Sequence, residues 1–266
     1  AISIALSLLA SLYVHSEWTY DQFHEQADSI YRVVKTGVNS NSGAEYAKAM
    51  MPENLASALV AGFPEVVEAA RIRDGYDSDI RAHGKRFEER ILFADAAFFK
   101  VFSFDLLEGD PATALTSKNS VVLTEQMARR FFGADSAMGK TLSIRNVFMD
   151  RTEARDLIVT GIAADPPENS SIKFTILVPL QLWPPRTDEI QFWVGDERIF
   201  VLLGEPADLA ALEGKVTRFA HEHRGPRKAD FSLRLQPMTD IHLDPSVTGG
   251  LEPTSNPTYS YILSAI

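Results

Sequence analysis

Residues 1–14 (AISIALSLLASLYV) carry no charged side chain, and such a run can only be buried in a protein core, removed as a signal peptide or placed in a membrane. As a helix rising about 1.5 Å per residue it reaches roughly 21 Å, short of the ~30 Å hydrocarbon core of a bilayer. The chain opens on Ala rather than Met, so the run reads as the end of a longer apolar helix. Ile4, Leu6, Leu8, Leu9 and Leu12 are its bulky residues. Tyr13, Trp18 and Tyr20 follow, residue types whose flat rings and polar tips collect at a membrane surface. No basic residue precedes the run and no small-x-small cleavage site follows it, which argues against a signal peptide. The far end mirrors this pattern, with Tyr259 and Tyr261 leading into Ile262 and Leu263. The expectation is a folded body between two truncated transmembrane helices, 1–16 and 258–266.

The body is long enough for one large or two small domains. A net charge of −10 with scattered Lys and Arg leaves no basic footprint, which excludes nucleic acid as an expected partner. Cysteine is absent, so disulfides, thiolate nucleophiles and Cys-ligated zinc are excluded.

Along the chain, Thr19 with Gln22 fits a capping box, and Tyr20, Phe23 and Ala27 share a face of the short helix it would open. A strand over 30–34 follows. Pro52, Glu53, Leu55, Leu59, Gly62 and Pro64 punctuate a helix, and 66–73 reads as a strand, completing a strand-helix-strand unit. Asp74-Gly75 and His83-Gly84 are turn dipeptides, and 85–93 is a half-buried hairpin strand. Residues 98–107 hold four Phe in ten positions, expected to pack beneath a small sheet. From Ser120 the elements become short and mainly β, around one helix capped by Thr124 and closed by Gly133, with strands over 140–144 and 157–163. Ile172, Phe174, Ile176 and Val178 alternate as a strand, and a loop holding Trp183, Pro184 and Pro185 follows. A strand over 199–203, a helix faced by Leu209, Leu212, Val216 and Phe219, and a strand over 231–235 make a second strand-helix-strand unit. The fold class is α+β: one α/β subdomain of two β-α-β units, 17–94 and 169–250, interrupted by a small β-rich subdomain, 95–168. Both chain ends then leave together at the membrane.

Residues 133–141 (GADSAMGKT) look like a phosphate-binding loop, but five residues separate Gly133 from Gly139 where four are required, and the order is helix, loop, strand. His221, Glu222 and His223 suggest a metal site, yet side chains two apart on a helix diverge, so a solvated helix end is the plainer reading. The remaining histidines, at 15, 24, 83 and 242, are dispersed. Asn169-Ser170-Ser171 matches a glycosylation acceptor by pattern, relevant only in a eukaryotic secretory setting. No nucleophile elbow or zinc-protease motif occurs, so no catalytic, cofactor-binding or metal-binding residues are assigned.

Five phrases in order resemble one family: residues 21–34 (DQFHEQADSIYRVV), 120–133 (SVVLTEQMARRFFG) with 139–142 (GKTL), 159–174 (VTGIAADPPENSSIKF), 235–243 (LQPMTDIHL) and 259–266 (YSYILSAI). Together they are similar to the extracytoplasmic core of MacB-like ABC transporter permeases, whose membrane part is FtsX-like. The resemblance implies a periplasmic domain between the first two helices of a bacterial inner-membrane protein, with a porter-like α/β subdomain and an inserted β-rich one. It implies no enzyme activity and no cofactor in this chain, because ATP is bound and hydrolysed on a cytoplasmic ABC ATPase subunit. The implied partners are that ATPase, a second permease copy, membrane lipid, and a periplasmic adaptor or a protein or peptide substrate. The implied role is to transmit helix motion outward for export or extraction of a substrate, and the helix from Tyr20 and residues 240–259 are the expected connections. An extracytoplasmic sensor domain is the alternative, and an anchored hydrolase a third class that lacks any nucleophile pattern.

Overall fold

A computed structural model describes residues 2–145, 154–183, 195–204, 208–223 and 230–264. Among these, thirteen strands join in one continuous sheet, with six α-helices. Four strands form its antiparallel base: β1 (Ile30–Val38), β4 (Val66–Ala82), β11 (Glu197–Leu203) and β12 (Phe231–Pro237), in the order β12-β1-β11-β4. Helices α2 (Leu55–Gly62) and α5 (Leu209–His223) cover one face, giving the two expected strand-helix-strand units. Alternation in β11 explains the layering. Ile199, Val201 and Leu203 join the core under α2 and α5, while Phe200 and Leu202 point to the opposite face. The outer edge of β12 is closed by α5, because the Leu233 and Leu235 amides donate to Thr217 Oγ1 (2.9 Å) and Glu213 Oε1 (2.7 Å). That satisfies amides which an edge strand otherwise offers to other chains.

The rest of the sheet closes on itself. β4, β5 (Lys85–Ala94), β10 (Ile176–Pro179), β7 (Ser120–Thr124), β9 (Arg155–Ala163) and β8 (Thr141–Arg145) pair in a ring that returns to β4, a six-strand barrel. Phe93, Val121, Leu123, Ile144, Val159 and Ile176 fill it, capped by α4 (Glu125–Phe132). Segment 95–168 supplies β7, β8 and β9, while β4, β5 and β10 come from before and after it. The four phenylalanines at 98–104 lie between base and barrel. Phe98, Phe102 and Phe104 are buried with Phe200 of the base and Phe174 beside the barrel, at ring separations of 5.1–5.7 Å for the pairs that link them.

Several expectations change. Asp74-Gly75 is no turn: β4 runs unbroken through it for 17 residues, with a bulge between Asp74 and Asp77. A Cβ on Gly75 would lie 1.8 Å from the Ile91 carbonyl oxygen, so glycine is there for close strand approach. His83 and Gly84, with φ of 49° and 75°, do form the hairpin turn. The helix expected from Thr19 is absent, because its capping residues are spent on the helix before it. In α1 (Ile2–Trp18), the Thr19 hydroxyl donates to the His15 carbonyl (2.8 Å) and Gln22 Nε2 to that of Trp18 (2.8 Å), after which the chain runs in turns. α2 starts at Leu55 rather than Pro52, and the alternating run 172–178 is strand only over Ile176–Pro179, buried on both faces. Residues 184 and 185 of the expected proline loop lie outside the described residues. No described helix is long and apolar enough to cross a membrane.

The close approach at Gly75 predicts that Gly75→Ala lowers stability by about 2–3 kcal/mol. Gly214→Ala, in open space on α5, is predicted to raise it by ~0.5–1 kcal/mol. Urea unfolding of both variants measures this, and equal effects would refute the packing assignment.

Candidate functional site

Chemistry that could do work gathers where the two terminal helices meet the body. α1 packs beside α6 (Pro257–Ser264), with the Trp18 and Tyr261 rings 6.5 Å apart. Ile4, Leu6, Leu8, Leu9 and Leu12 of α1 and Tyr259, Tyr261 and Ile262 of α6 are exposed, whereas Val14 of α1 and Ser260 of α6 are buried. Leu263 is half-buried and Tyr13 exposed. Tyr20 is turned elsewhere, its ring stacked on the His242 imidazole at 3.4 Å and 1°.

Three sets of bonds hold the helices to the body. In the first, His242 Nε2 lies 3.3 Å from Glu17 Oε1, both side chains nearly buried, so the end of α1 meets the segment leading to α6. In the second, Asn169 Nδ2 donates to the Thr19 carbonyl (2.9 Å), the Asp21 amide donates to the Asn169 carbonyl (2.9 Å), and the Ser171 amide donates to Asp21 Oδ1 (2.7 Å). Asp21 is fully buried in a left-handed conformation with φ of 59°, which Asp tolerates better than most residues. In the third, arginines fix the C-terminal connector. Arg198 donates to the Gly249 (2.7 Å) and Gly250 (3.2 Å) carbonyls. Asp244 Oδ2 accepts from Arg234 (3.1 Å) and Gln236 (2.9 Å), and Gln236 Oε1 accepts from buried Arg32 (2.6 Å). β13 (Val247–Thr248) then pairs with β2 (Glu45–Lys48).

Burial sets the charge states. It pushes the Asp21 carboxyl up to about 6 in spite of its hydrogen bonds from Ser171 and Ser170. It lowers His24, tucked against Phe102 and Phe104, to about 4, so that imidazole is neutral. It lowers the Arg32 guanidinium to about 10, still cationic. For Asp244 burial acts upward, but hydrogen bonds from Ser246 and Arg234 outweigh it and hold the carboxyl low. His221 Nε2 and His223 Nδ1 each face a separate carbonyl, of Phe231 (2.7 Å) and Phe219 (2.8 Å). No three His, Asp or Glu side chains among the described residues are grouped to hold a metal. The segment 133–141 runs from α4 to β8 and donates the Gly139 amide to the Val159 carbonyl (2.8 Å).

The sequence profile of the MacB-like periplasmic core domain matches residues 1–219. The chain belongs to that family. No curated protein matches the chain in sequence. Among solved structures, this MacB-like core domain is similar to a domain of a putative permease protein from Porphyromonas gingivalis, at 24% identity and a TM-score of 0.69 over 80% of this chain and 91% of that one. It is also similar to the periplasmic region of MacB from Actinobacillus actinomycetemcomitans, at 15% identity and a TM-score of 0.53 over 81% and 91%. The extracellular domain of the noncanonic ABC-type transporter YknZ from Gram-positive bacteria matches at 13% identity and a TM-score of 0.53 over 78% and 99%. These likenesses concern the fold. Spacing could not reveal the joint of this MacB-like domain, since Glu17 and His242 lie 225 positions apart.

The Asp21 shift predicts a pH dependence. The unfolded carboxyl ionises near 3.8 and the folded one near 6, so its contribution is full below about pH 4 and is lost as pH rises through 6. Asp21→Asn keeps the tolerated backbone geometry and removes the ionisation. It should gain on the order of 2–3 kcal/mol relative to the parent between pH 4 and pH 7. Denaturant titrations at the two pH values test this, and parallel pH profiles for parent and variant would contradict it.

Proposed function

We propose that this chain is the extracytoplasmic domain of an ABC transporter permease in a bacterial inner membrane, passing helix motion outward for export or extraction of a substrate. The observation that carries the reading is the joint: two adjacent helices with exposed apolar faces, α1 tied to the body through Glu17 and Asp21 and the connector before α6 held by Arg198. A rigid connection is what turns a shift of a helix into rotation of a domain. Family membership and likeness to the periplasmic region of MacB and an extracellular transporter domain support the setting.

In this reading α1 and α6 are the visible parts of the first two transmembrane helices. Ile4, Leu6, Leu8, Leu9, Leu12, Ile262 and Leu263 lie in lipid, and Tyr13, Trp18, Tyr259 and Tyr261 sit at the surface. Tyr20 belongs to the joint through its stack on His242. The base with α2 and α5 belongs to the porter-like subdomain, and residues 95–168 are the inserted β-rich one, contributing β7, β8 and β9 to a barrel that β4, β5 and β10 complete. The chain supplies no catalytic groups. ATP is hydrolysed on a separate cytoplasmic subunit, a second permease copy completes the transporter, and an adaptor or substrate engages the outer surface.

A distance measurement tests this without knowing the substrate. These 266 residues hold no cysteine, so spin labels are placed on cysteines introduced at Ser7 and Lys85 of the full-length permease, with any cysteine outside this domain or in the ATPase first replaced, and the assembled transporter is measured. With ATP, the distance between the Lys85 labels of the two copies should change while Ser7 to Lys85 within one copy stays constant. A flexible Gly-Ser insertion after Asn256 should abolish the change between copies and leave ATPase activity within about threefold. An ATP response that survives the insertion would contradict the role of the joint.

A further inference from the structure

We propose that the joint between α1 and the body is a proton-gated latch: a proton on Asp21 keeps the end of α1 fastened to residues 169–171, and its loss lets that fastening open locally while base and barrel stay folded. The Asp21 side chain is fully buried, Oδ1 accepts the Ser171 amide (2.7 Å), and Oδ2 has no hydrogen-bond partner. The two cations that act on it are committed elsewhere. Lys173 Nζ donates to the Pro167 carbonyl, and Arg32 donates to Gln236 Oε1 (2.6 Å). An ionised carboxyl there is desolvated and only half satisfied. A proton on Oδ2 removes the charge and leaves Oδ1 in place for the Ser171 amide.

The α1 side of the joint is anionic. Glu17, four residues earlier, keeps Oε1 3.3 Å from His242 Nε2 while its Oε2 is buried without a partner. Tyr20, stacked on that imidazole, lies in the field of Glu17, Asp21, Glu168 and Glu252. His24, whose amide donates to the Asp21 carbonyl (3.4 Å), is held neutral against Phe102 and Phe104. Neighbouring carboxylates favour a proton on Asp21, and Lys173 and Arg32 oppose it. Burial outweighs the cations, which is why the carboxyl ionises at about 6 rather than 3.8.

Both halves of the latch lie outside regular structure. Residues 20–26 run in turns after α1, and 164–175 connect β9 to β10 without helix or strand. The fastening is the bond from the Ser171 amide to Asp21, that from the Asp21 amide to the Asn169 carbonyl (2.9 Å), and that from Asn169 Nδ2 to the Thr19 carbonyl (2.9 Å). All three can part without breaking a strand pairing, and parting frees Asp21 from its left-handed backbone and hydrates its carboxyl. Because the opened carboxyl ionises more readily than the closed one, opening is insensitive to pH below about 4, grows easier up to about 6, and levels off above. The latch deepens the coupling role and rests on it only for the consequence: an acidic medium outside stiffens the connection to α1, and a neutral one loosens it.

Hydrogen exchange on the full-length permease in detergent, resolved amide by amide by mass spectrometry at pH 4.5 and pH 7 and corrected for the intrinsic pH dependence of exchange, follows the latch through the Asp21 and Ser171 amides. Opening of both should rise by roughly 25-fold between these values, at opening free energies below those of amides 69–72 in β4. In Asp21→Asn, which keeps a residue tolerant of the left-handed backbone, the rise should be absent. No rise in the parent, exchange of the two amides only together with 69–72, or a rise of the same size in folded Asp21→Asn would each overturn the proposal. The first two outcomes are read from the parent alone. Neither ATP nor a partner enters the readout, so the latch can fail while the motion between copies holds, and the reverse.

Discussion

A single strand, β4, holds the molecule together. Its first half pairs with β11 in the base and its second half with β5 and β8 in the barrel. Over 17 residues at about 3.3 Å each it spans roughly 56 Å, longer than either part needs alone. The bulge at Asp74 to Asp77 redirects it from one sheet curvature to the other, and Gly75 permits the crowding this produces. No loop links base to barrel at this point; the link is a hydrogen-bonded strand.

The aromatic cluster fills the angle that the bent strand leaves. Phe98, Phe102 and Phe104 reach Phe200 on one side and Phe174 on the other, so moving the barrel against the base would open a cavity lined by large rings. His24 and Phe23 extend the cluster toward the turn after α1. From there Asp21, Asn169 and Ser171 carry the connection to the helix, while the arginine set around Asp244 and Gly249 does the same for the C-terminal side. Burying Asp21 costs stability at neutral pH. Its partners on the 169–171 segment give a physical reason for the residue to be there: a short polar side chain that accepts the Ser171 amide at a backbone angle few residues tolerate.

Local punctuation was readable in the sequence because it acts within a few residues. Thr124 caps α4 and Gly133 ends it with φ of 69°, His83-Gly84 turns the hairpin, and alternation located β12. Barrel closure was not readable, since β4 meets β8 antiparallel and β5 meets β10 parallel across long separations that leave no periodic trace. Asp74-Gly75 misled because a glycine required for close approach looks like one required for a turn. Thr19 and Gln22 misled because the same side chains can close one helix or open the next. At the joint, aromatic and apolar residues near the ends drew attention by type, but Glu17, Asp21, Arg32 and His242 have no pattern to distinguish them from solvated charge until the fold brings them together.

Base, barrel and aromatic cluster form one mechanical unit. Native-state hydrogen exchange on the amides of β4 tests it most directly, comparing those over 69–72 in the base with those over 80–82 in the barrel. One unit predicts that both groups exchange through the same global opening, with equal free energies and equal dependence on denaturant. Barrel amides exchanging through a separate opening, several kcal/mol below that of the base, would show two independently hinged parts and contradict the account.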